Sequence, residues 1–171
     1  MTFPRVLCHA QPNNPNTPNS PHDIERRSNH YKNMMYQSFA MYKDHSPWSQ
    51  PSSVYAIAHG NTLFHVRAKV ANNTLKHTLQ QVSGVEIECY EMYDSIPVFS
   101  YEKEAQKFVD MLEDDGMTFP DTHVCEIDST QLVTAVQEVG ATILLITNLY
   151  LVLSALTFVE FLRTHPQHIE I

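Results

Sequence analysis

A stretch of twenty-one residues near the carboxyl end, TILLITNLYLVLSALTFVEFL from Thr142 to Leu162, constrains the fold more than any other part of the sequence. It is long enough to cross a bilayer as one helix, and Glu160 is its only charged residue. Against a membrane span stand the polar Asn148 in its middle and Glu160 itself. A charged side chain costs about 2.5 to 3.5 kcal/mol at the centre of a bilayer, although less near the end of a span. A tail-anchored membrane protein is therefore one alternative.

The same stretch can be divided at Thr147 and Asn148, which gives a second interpretation. Residues 141–146, ATILLI, have the composition of a buried β-strand, and residues 149–163 predict a helix capped by Thr147 or Asn148. We favour a strand followed by a buried helix, because the segments before it supply a sheet that this strand can join.

Strand-like and helix-like segments alternate through the second half of the chain. GVEIECYEM alternates apolar and polar residues with a period of two, SIPVFS continues as an extended piece, and HVCEI predicts another strand. A helix is predicted to begin at Ser100, as its cap, and to end at Gly116. A second helix is predicted between Asp128, as a capping residue, and Gly140. The buried stripe of the first helix is predicted to consist of Ala105, Phe108, Val109 and Leu112.

Strands that alternate with helices of ten or more residues indicate the fold class. We predict a single α+β or α/β domain over residues 22–171, with a mixed sheet of about five strands covered by helices. In the first half, a helix is predicted from Asp23 with its apolar stripe running to Tyr42, followed by a hairpin that turns at His59-Gly60-Asn61. A less regular helix is predicted to end at Gly84.

Residues 1–21 are predicted to form a flexible Pro/Asn-rich tail. Proline stands at positions 12, 15, 18 and 21, a spacing that aligns the rings on one side of a polyproline II helix. A ligand for an aromatic-lined groove is the alternative, but no Arg or Lys flanks the prolines to anchor it. A solvated extended tail is the preferred interpretation.

The second half also resembles a known family. The order of IPVFS, a helix, a strand and DSTQLVTAVQEVGATILLITN is similar to the amino-terminal domain of SseB-type proteins over about residues 85–150. Residues 97–100 match the family's lPvFts motif, and Gly140 with Asn148 match its second motif, whereas Leu149 stands where the family has proline. The family is bacterial and has accessory or regulatory roles without established catalytic residues. The resemblance implies a fold more than an activity.

The net charge and the cysteines indicate which partners are disfavoured and in which cellular compartment the protein is found. With 11 Lys and Arg against 19 Asp and Glu, the formal charge is −8, so nucleic acid and anionic membrane surfaces are disfavoured as partners. The three cysteines are widely spaced and form no CxxC, and the amino-terminal residues do not resemble a secretory signal. Both observations favour free thiols in the cytoplasm.

Several catalytic designs are missing from the sequence. It contains no GxSxG, GxxxxGK[ST], GxGxxG or HExxH, and its four glycines are too few for the usual phosphate-binding loops. His59 with His65, and His165 with His168, lie close together in the sequence and leave a small metal-dependent hydrolase, using His and carboxylate groups, as an alternative. Scattered surface histidines are the preferred interpretation, so we predict no metal, no cofactor and no catalytic residue.

The cysteines and the paired glutamates have similar simple interpretations. Cys89 and Cys125 are predicted to be buried structural thiols rather than nucleophiles, because a reactive thiol needs an electropositive and partly exposed setting. Glu86 and Glu88 share one side of a predicted strand and could hold a metal or act as an acid/base pair. The solvated side of a sheet explains them without any chemistry.

The sequence therefore favours a cytoplasmic interaction or regulatory module over an enzyme. A soluble helix as apolar as residues 149–163 must be buried on most sides or shared with a second chain. We predict a homodimer whose interface this helix forms, with charged residues at its rim. The predicted interface residues are Leu149, Leu153, Leu156, Glu160 and Arg163.

Overall fold

The computed structural model describes residues 20–43 and 53–170. The chain divides into two compact units, Met1–Asn33 and Met34–Ile171. The elements below are numbered along the chain within the described residues.

Helix α1 (Pro21–Gln37) begins beside a capping serine. Ser20 Oγ accepts a hydrogen bond from the Asp23 backbone N–H at 3.2 Å and donates to Asp23 Oδ2 at 2.9 Å. The tail predicted over residues 1–21 lies outside the described residues except for Ser20 and Pro21, and these two begin the helix.

The second unit contains helices on a mixed eight-stranded sheet, which confirms the predicted α+β fold class. Five of the eight strands are at least five residues long, and the other three are short. The remaining described helices are α2 (Asn73–Ser83), α3 (Glu102–Asp114), α4 (Ser129–Val139) and α5 (Ala155–Thr164), with a 3-10 helix at Leu149–Leu151. The strands are β1 (Phe39–Tyr42), β2 (Ser53–His59), β3 (Thr62–Leu63), β4 (Val66–Ala71), β5 (Tyr90–Phe99), β6 (Thr122–Asp128), β7 (Thr142–Ile146) and β8 (Ile169–Glu170).

The long strand β5 organises the sheet. It pairs in parallel with β7, and it pairs antiparallel with β4 along its first half and with β2 at its end. β1 pairs antiparallel with β7 and in parallel with β8, while β6 pairs antiparallel with β2 along seven residues. Gln167 then bridges back to β4, since its N–H donates to Lys69 O at 2.7 Å and its carbonyl accepts from Ala71 N at 3.2 Å. The hydrogen-bonded path β4–β5–β7–β1–β8 therefore returns to β4.

Successive residues of β5 point to opposite faces of the sheet and into two different hydrophobic clusters. Val98 belongs to a cluster beneath α4. Phe99 lies on the other face, where its ring centroid is 5.5 Å from that of Phe108 on α3. Phe108 contacts Phe158 on α5 at 5.8 Å, so α3 and α5 cover this second face. The α4 cluster consists of Val54, Ala56, Val98, Leu132, Val133, Val136, Ala141 and Ile143.

The two helices of the second half follow the sequence predictions closely. The predicted stripe of α3 is buried, as its four apolar positions show. Asp128 caps α4 by accepting from Gln131 N at 3.0 Å, and Gly140 ends it with a left-handed φ of 67°. The predicted cap of α3 is wrong: Tyr101, not Ser100, precedes the helix, and its side chain makes no capping hydrogen bond. Glu102 and Glu104 in the first turn complement the helix dipole instead.

The helix predicted to continue to Tyr42 is also wrong at its end. α1 stops at Gln37, and the next four-residue segment is strand β1. Ser38 closes the helix by donating from its Oγ to Met35 O at 2.6 Å, while its carbonyl accepts from the backbone at the end of β7. Phe39 and Met41 are buried in alternation, as pairing with β7 requires. Pairing with a distant strand therefore overrides the local helical pattern.

The predicted turn at Gly60 is confirmed, but the hairpin is short. Gly60 has φ 59°, and only Ala58 and His59 pair with β3, after which the chain moves to β5 as strand β4. The strand predicted from Val85 begins only at Tyr90. Val85 and Ile87 are exposed, because this segment returns from α2 instead of joining the sheet.

The apolar stretch from 142 to 162 is divided, as predicted, into a strand and a helix. The helix begins six residues later than residue 149, because Ser154 caps it by accepting from Thr157 N at 3.1 Å. Only one side of α5 is buried, through Ala155, Phe158, Phe161 and Leu162. None of the helices within residues 20–43 and 53–170 combines the length and the apolar character that a membrane span requires.

Candidate functional site

Three large apolar side chains point outward where the chain passes from β7 into α5. Tyr150, Leu153 and Leu156 are 75%, 68% and 55% exposed, and they lie within seven residues of one another. We refer to these three residues as the α5 face. Single exposed apolar residues are ordinary on a protein surface, but a group of three on one short segment is typical of an interaction site.

The segment that carries the α5 face is fixed by contacts on the side that faces the core. Leu149 and Val152 alternate with the exposed residues and are buried, so they anchor the segment in the core. The Leu156 N–H donates to Asp115 Oδ2 at 2.9 Å, which ties the first turn of α5 to the end of α3. The apolar surface is therefore presented by a fixed backbone, and little order need be gained when another surface covers it.

A charge pair lies beyond the α5 face along the same helix. Arg163 contacts Glu160 through both carboxylate oxygens, at 2.5 Å from Nη2 and 3.2 Å from Nε. The hydrogen bond from Arg163 lowers the pKa of the Glu160 carboxyl, and the same bond raises the pKa of Arg163. Both side chains are exposed, so the pair adds little stability, but it leaves this end of the helix without net charge.

Four of the five predicted interface residues are exposed. Leu153, Leu156, Glu160 and Arg163 are all exposed on the outer side of this segment. Leu149 is only 4% exposed and packs inside its own chain. Tyr150, which the sequence analysis did not select, takes the outward position. Residues 149–151 form a separate 3-10 turn before α5, so the helical periodicity that placed Leu149 outward does not apply to them.

A second feature is a polar cleft of about 670 Å³ beside the start of α2. Lys43 Nζ donates to Tyr93 Oη at 2.9 Å, and Tyr93 donates to Glu91 Oε2 at 2.7 Å. Asn72 Nδ2 donates to Glu91 Oε1 at 2.9 Å, and Asn72 Oδ1 accepts from Leu75 N at 2.9 Å as the cap of α2. These side chains bond mainly to one another, so the network joins α2 to β5. No sequence pattern indicates it, because its members lie up to fifty residues apart.

The histidines considered for a metal site lie in different surroundings. His59 hydrogen bonds to Thr122, His65 is exposed, His165 stacks on an aromatic ring of α5 at 4.4 Å, and His168 lines the polar cleft. Among the residues that the structure describes, no three His, Cys, Asp or Glu side chains are grouped so that they could hold a metal ion.

The two described cysteines were predicted to be buried, and both are only partly buried. Cys125 Sγ lies 3.6 Å from Ala56 O, and burial raises the pKa of this thiol, so it stays protonated at neutral pH. Cys89 lies on the segment just before β5, outside the sheet. Both are free thiols.

Glu86 and Glu88, the two glutamates before β5, both form ion pairs with Lys76. Lys76 Nζ is 3.2 Å from Glu86 Oε1 and also contacts Glu88. The hydrogen bonds that Lys76 donates to Glu88 and then to Glu86 raise the pKa of Lys76. The three residues tie α2 to the segment that returns from it, which accounts for the two carboxylates without acid/base chemistry.

Comparison of the chain with protein-family models, with curated proteins and with solved structures gives no match. The resemblance to SseB-type proteins stays a prediction from the sequence.

Proposed function

We propose that this protein is a non-enzymatic interaction or regulatory module that acts as a homodimer, with the α5 face in its two-fold interface. The observation that carries the proposal is the outward position of Tyr150, Leu153 and Leu156 on a rigid segment. An exposed aromatic residue beside two leucines has the composition of an interface core. In a two-fold interface the same surface meets itself, so each face supplies the apolar partner that the other needs.

The distribution of charge favours the end of α5 as the place where two copies of the chain meet. The chain carries a formal charge of −8, and two copies therefore repel each other over most of their surfaces. Where the α5 helix continues beyond the apolar face, Glu160 and Arg163 neutralise each other within one chain. Two copies that meet here bring no net charge together at the Glu160–Arg163 end, whereas the Asp115 carboxylate, bonded to Leu156 N–H, borders the other end of the α5 face.

The chemistry of the described side chains supports a role without catalysis. In the polar cleft, the carboxylate of Glu91 accepts from Asn72 and Tyr93, and Tyr93 accepts from Lys43, so these groups bond to one another. Burial keeps the Cys125 thiol protonated, which disfavours it as a nucleophile. The accessory or regulatory role that the resemblance to SseB-type proteins implies agrees with this proposal, and the free thiols of Cys89 and Cys125 favour a reducing cytoplasm as its location.

A single charge in the α5 face tests the interface. We expect Leu153→Glu to convert the dimer to monomer, because the new carboxylate would lose its hydration at the centre of the interface. The measurement is the molar mass by light scattering after size-exclusion chromatography, over a range of loading concentrations.

Val139→Glu is the matched control. Val139 is 75% exposed at the end of α4, outside the α5 face, so this substitution adds the same charge to an equally exposed apolar position. We expect the control to stay dimeric. Equal masses for the two variants would remove the α5 face from the interface.

A further inference from the structure

His59, at the end of β2, is joined by hydrogen bonds to the turn that precedes β6. Its Nδ1 lies 2.7 Å from Thr122 Oγ1. The Thr122 hydroxyl donates to Phe119 O at 2.7 Å and accepts from Phe119 N at 3.1 Å. We assign the Thr122 hydroxyl proton to Phe119 O, and with this assignment His59 Nδ1 carries a proton and donates it to Thr122. The lone pair of the neutral ring is therefore on Nε2.

The Nε2 atom of His59 is shielded from solvent. It is buried and has no hydrogen-bond partner among the residues that the structure describes. Phe64 and Phe119 meet the imidazole edge to face, with ring centroids 5.5 Å and 5.0 Å away. Burial, and then the nearby His123, lower the pKa of His59 below its ordinary value. The imidazole of His59 is therefore neutral at neutral pH.

The turn beside His59 is held in an uncommon conformation. Asp121 has a φ of 68°, in the left-handed region that few residues other than glycine adopt. The Asp121 carbonyl accepts from Gly60 N at 3.1 Å, and the Thr122 side chain is bonded to His59. Both ties run to the end of β2, where the backbone of Thr122 also pairs with that of His59, so the His59 ring adds a side-chain tie to a turn that is already paired at its end.

We propose that His59 is an acid-sensitive latch that holds the turn from Phe119 to Thr122 against the end of β2. A second proton on the ring has to go to Nε2, where it creates a charged donor in a site without an acceptor. The imidazolium is better hydrated outside the site, so the ring leaves and the hydrogen bond to Thr122 is lost. The turn then loses its side-chain tie to β2 and opens more readily, and Phe64 loses contact with the His59 ring while keeping Phe108.

Some ionisable groups around His59 oppose a positive charge on its ring, and others attract one. His123 on β6 opposes a second positive charge near His59. On the turn, Asp121 approaches the glycine that follows His59 and can attract the imidazolium once it has moved. His65, beyond β3, is exposed and bonded through Nδ1 to a backbone carbonyl, and α3 approaches through the apolar Phe108. Because protonation is harder in the closed state, closure is fully stable above about pH 6.5 and weakens as the pH falls from there toward the lower pKa of the closed form.

Hydrogen exchange of two backbone amides in the full chain tests the latch. The Gly60 N–H makes one of the two ties, and the Phe119 N–H donates to the same Thr122 hydroxyl that His59 contacts. After correction for intrinsic exchange, we expect their open population to rise by up to about tenfold per pH unit below pH 6.5, as one coupled proton requires. His59→Asn can still donate to Thr122 but does not titrate, so its open population should not change with pH. His123→Gln should keep the pH dependence.

Protection that is independent of pH in the unmodified protein would overturn the latch, as would an unchanged pH dependence in His59→Asn. If His59→Asn does not fold, the pKa of His59 in the unmodified protein decides the matter. It can be measured from the ring C–H chemical shifts by NMR. A value at or above the ordinary 6.5 or so would contradict the latch.

Discussion

Phe99→Ala is expected to lower the free energy of unfolding by about 3 to 5 kcal/mol, out of a total that is about 5 to 15 kcal/mol for domains of this kind. Phe99 is fully buried at the end of β5, paired on one side with Tyr55 and on the other with Ile146. Its ring contacts Phe108, so removing it leaves a cavity between the sheet and α3. Urea denaturation followed by circular dichroism measures the change.

Tyr101→Ala is the matched control for this substitution. Tyr101 is two residues further along the chain, just before α3, and its side chain is mostly exposed. Its loss should change the free energy of unfolding by no more than about 0.5 kcal/mol. If Phe99→Ala lowered the free energy of unfolding no more than the control does, the packing of α3 on β5 described above would be contradicted.

The second large effect is expected for Phe158→Ala, again about 3 to 5 kcal/mol. Phe158 is fully buried on the inner side of α5, with ring centroids 5.7 Å from Phe39 and 5.8 Å from Phe108. It joins a helix to β1 and to α3, so the loss of its ring weakens contacts to both. The measurement is the same urea titration at one low protein concentration.

Leu156→Ala separates the two sides of the same helix. Leu156 is exposed on the α5 face, so its truncation should cost each chain less than about 1 kcal/mol at high dilution. Any further loss in the free energy of unfolding should grow with protein concentration. Dimerisation stabilises the folded chain more at higher concentration, and Leu156→Ala weakens the dimer. Equally large and concentration-independent losses for both variants would show that α5 is buried on both sides within one chain.

The helices α3 and α4 could be predicted from the sequence because their signals are local. The spacing of Ala105, Phe108, Val109 and Leu112 marks one side of a helix without reference to any other segment. A capping side chain and a left-handed glycine lie within one turn of α4, so they too are visible in the sequence.

The strand β1 and the start of α5 could not be predicted in the same way. Phe39 and Met41 fit a helical stripe as well as a strand, and only their pairing with β7, about a hundred residues away, decides between them. In the apolar stretch, Ser154 had to be recognised as a cap among residues that continue the helical pattern. A single polar residue with this role cannot be distinguished from a solvent-facing position by periodicity alone.

The candidate surface was partly visible in the sequence. Leu153 and Leu156 were selected because an apolar helix of that length must have its surface covered. Which leucines face outward depends on the break in the helix, and this is why Leu149 was placed on the wrong side. The link between His59 and Thr122 joins residues 63 positions apart, so only the pairing of β2 with β6 brings it about.

Sedimentation equilibrium of the unmodified protein, without detergent and over a wide range of concentration, tests the central proposal most directly. A homodimer joined through the α5 face predicts twice the chain mass of 19.6 kDa, falling toward the single-chain mass only on dilution. A constant mass of one chain at every concentration would contradict it.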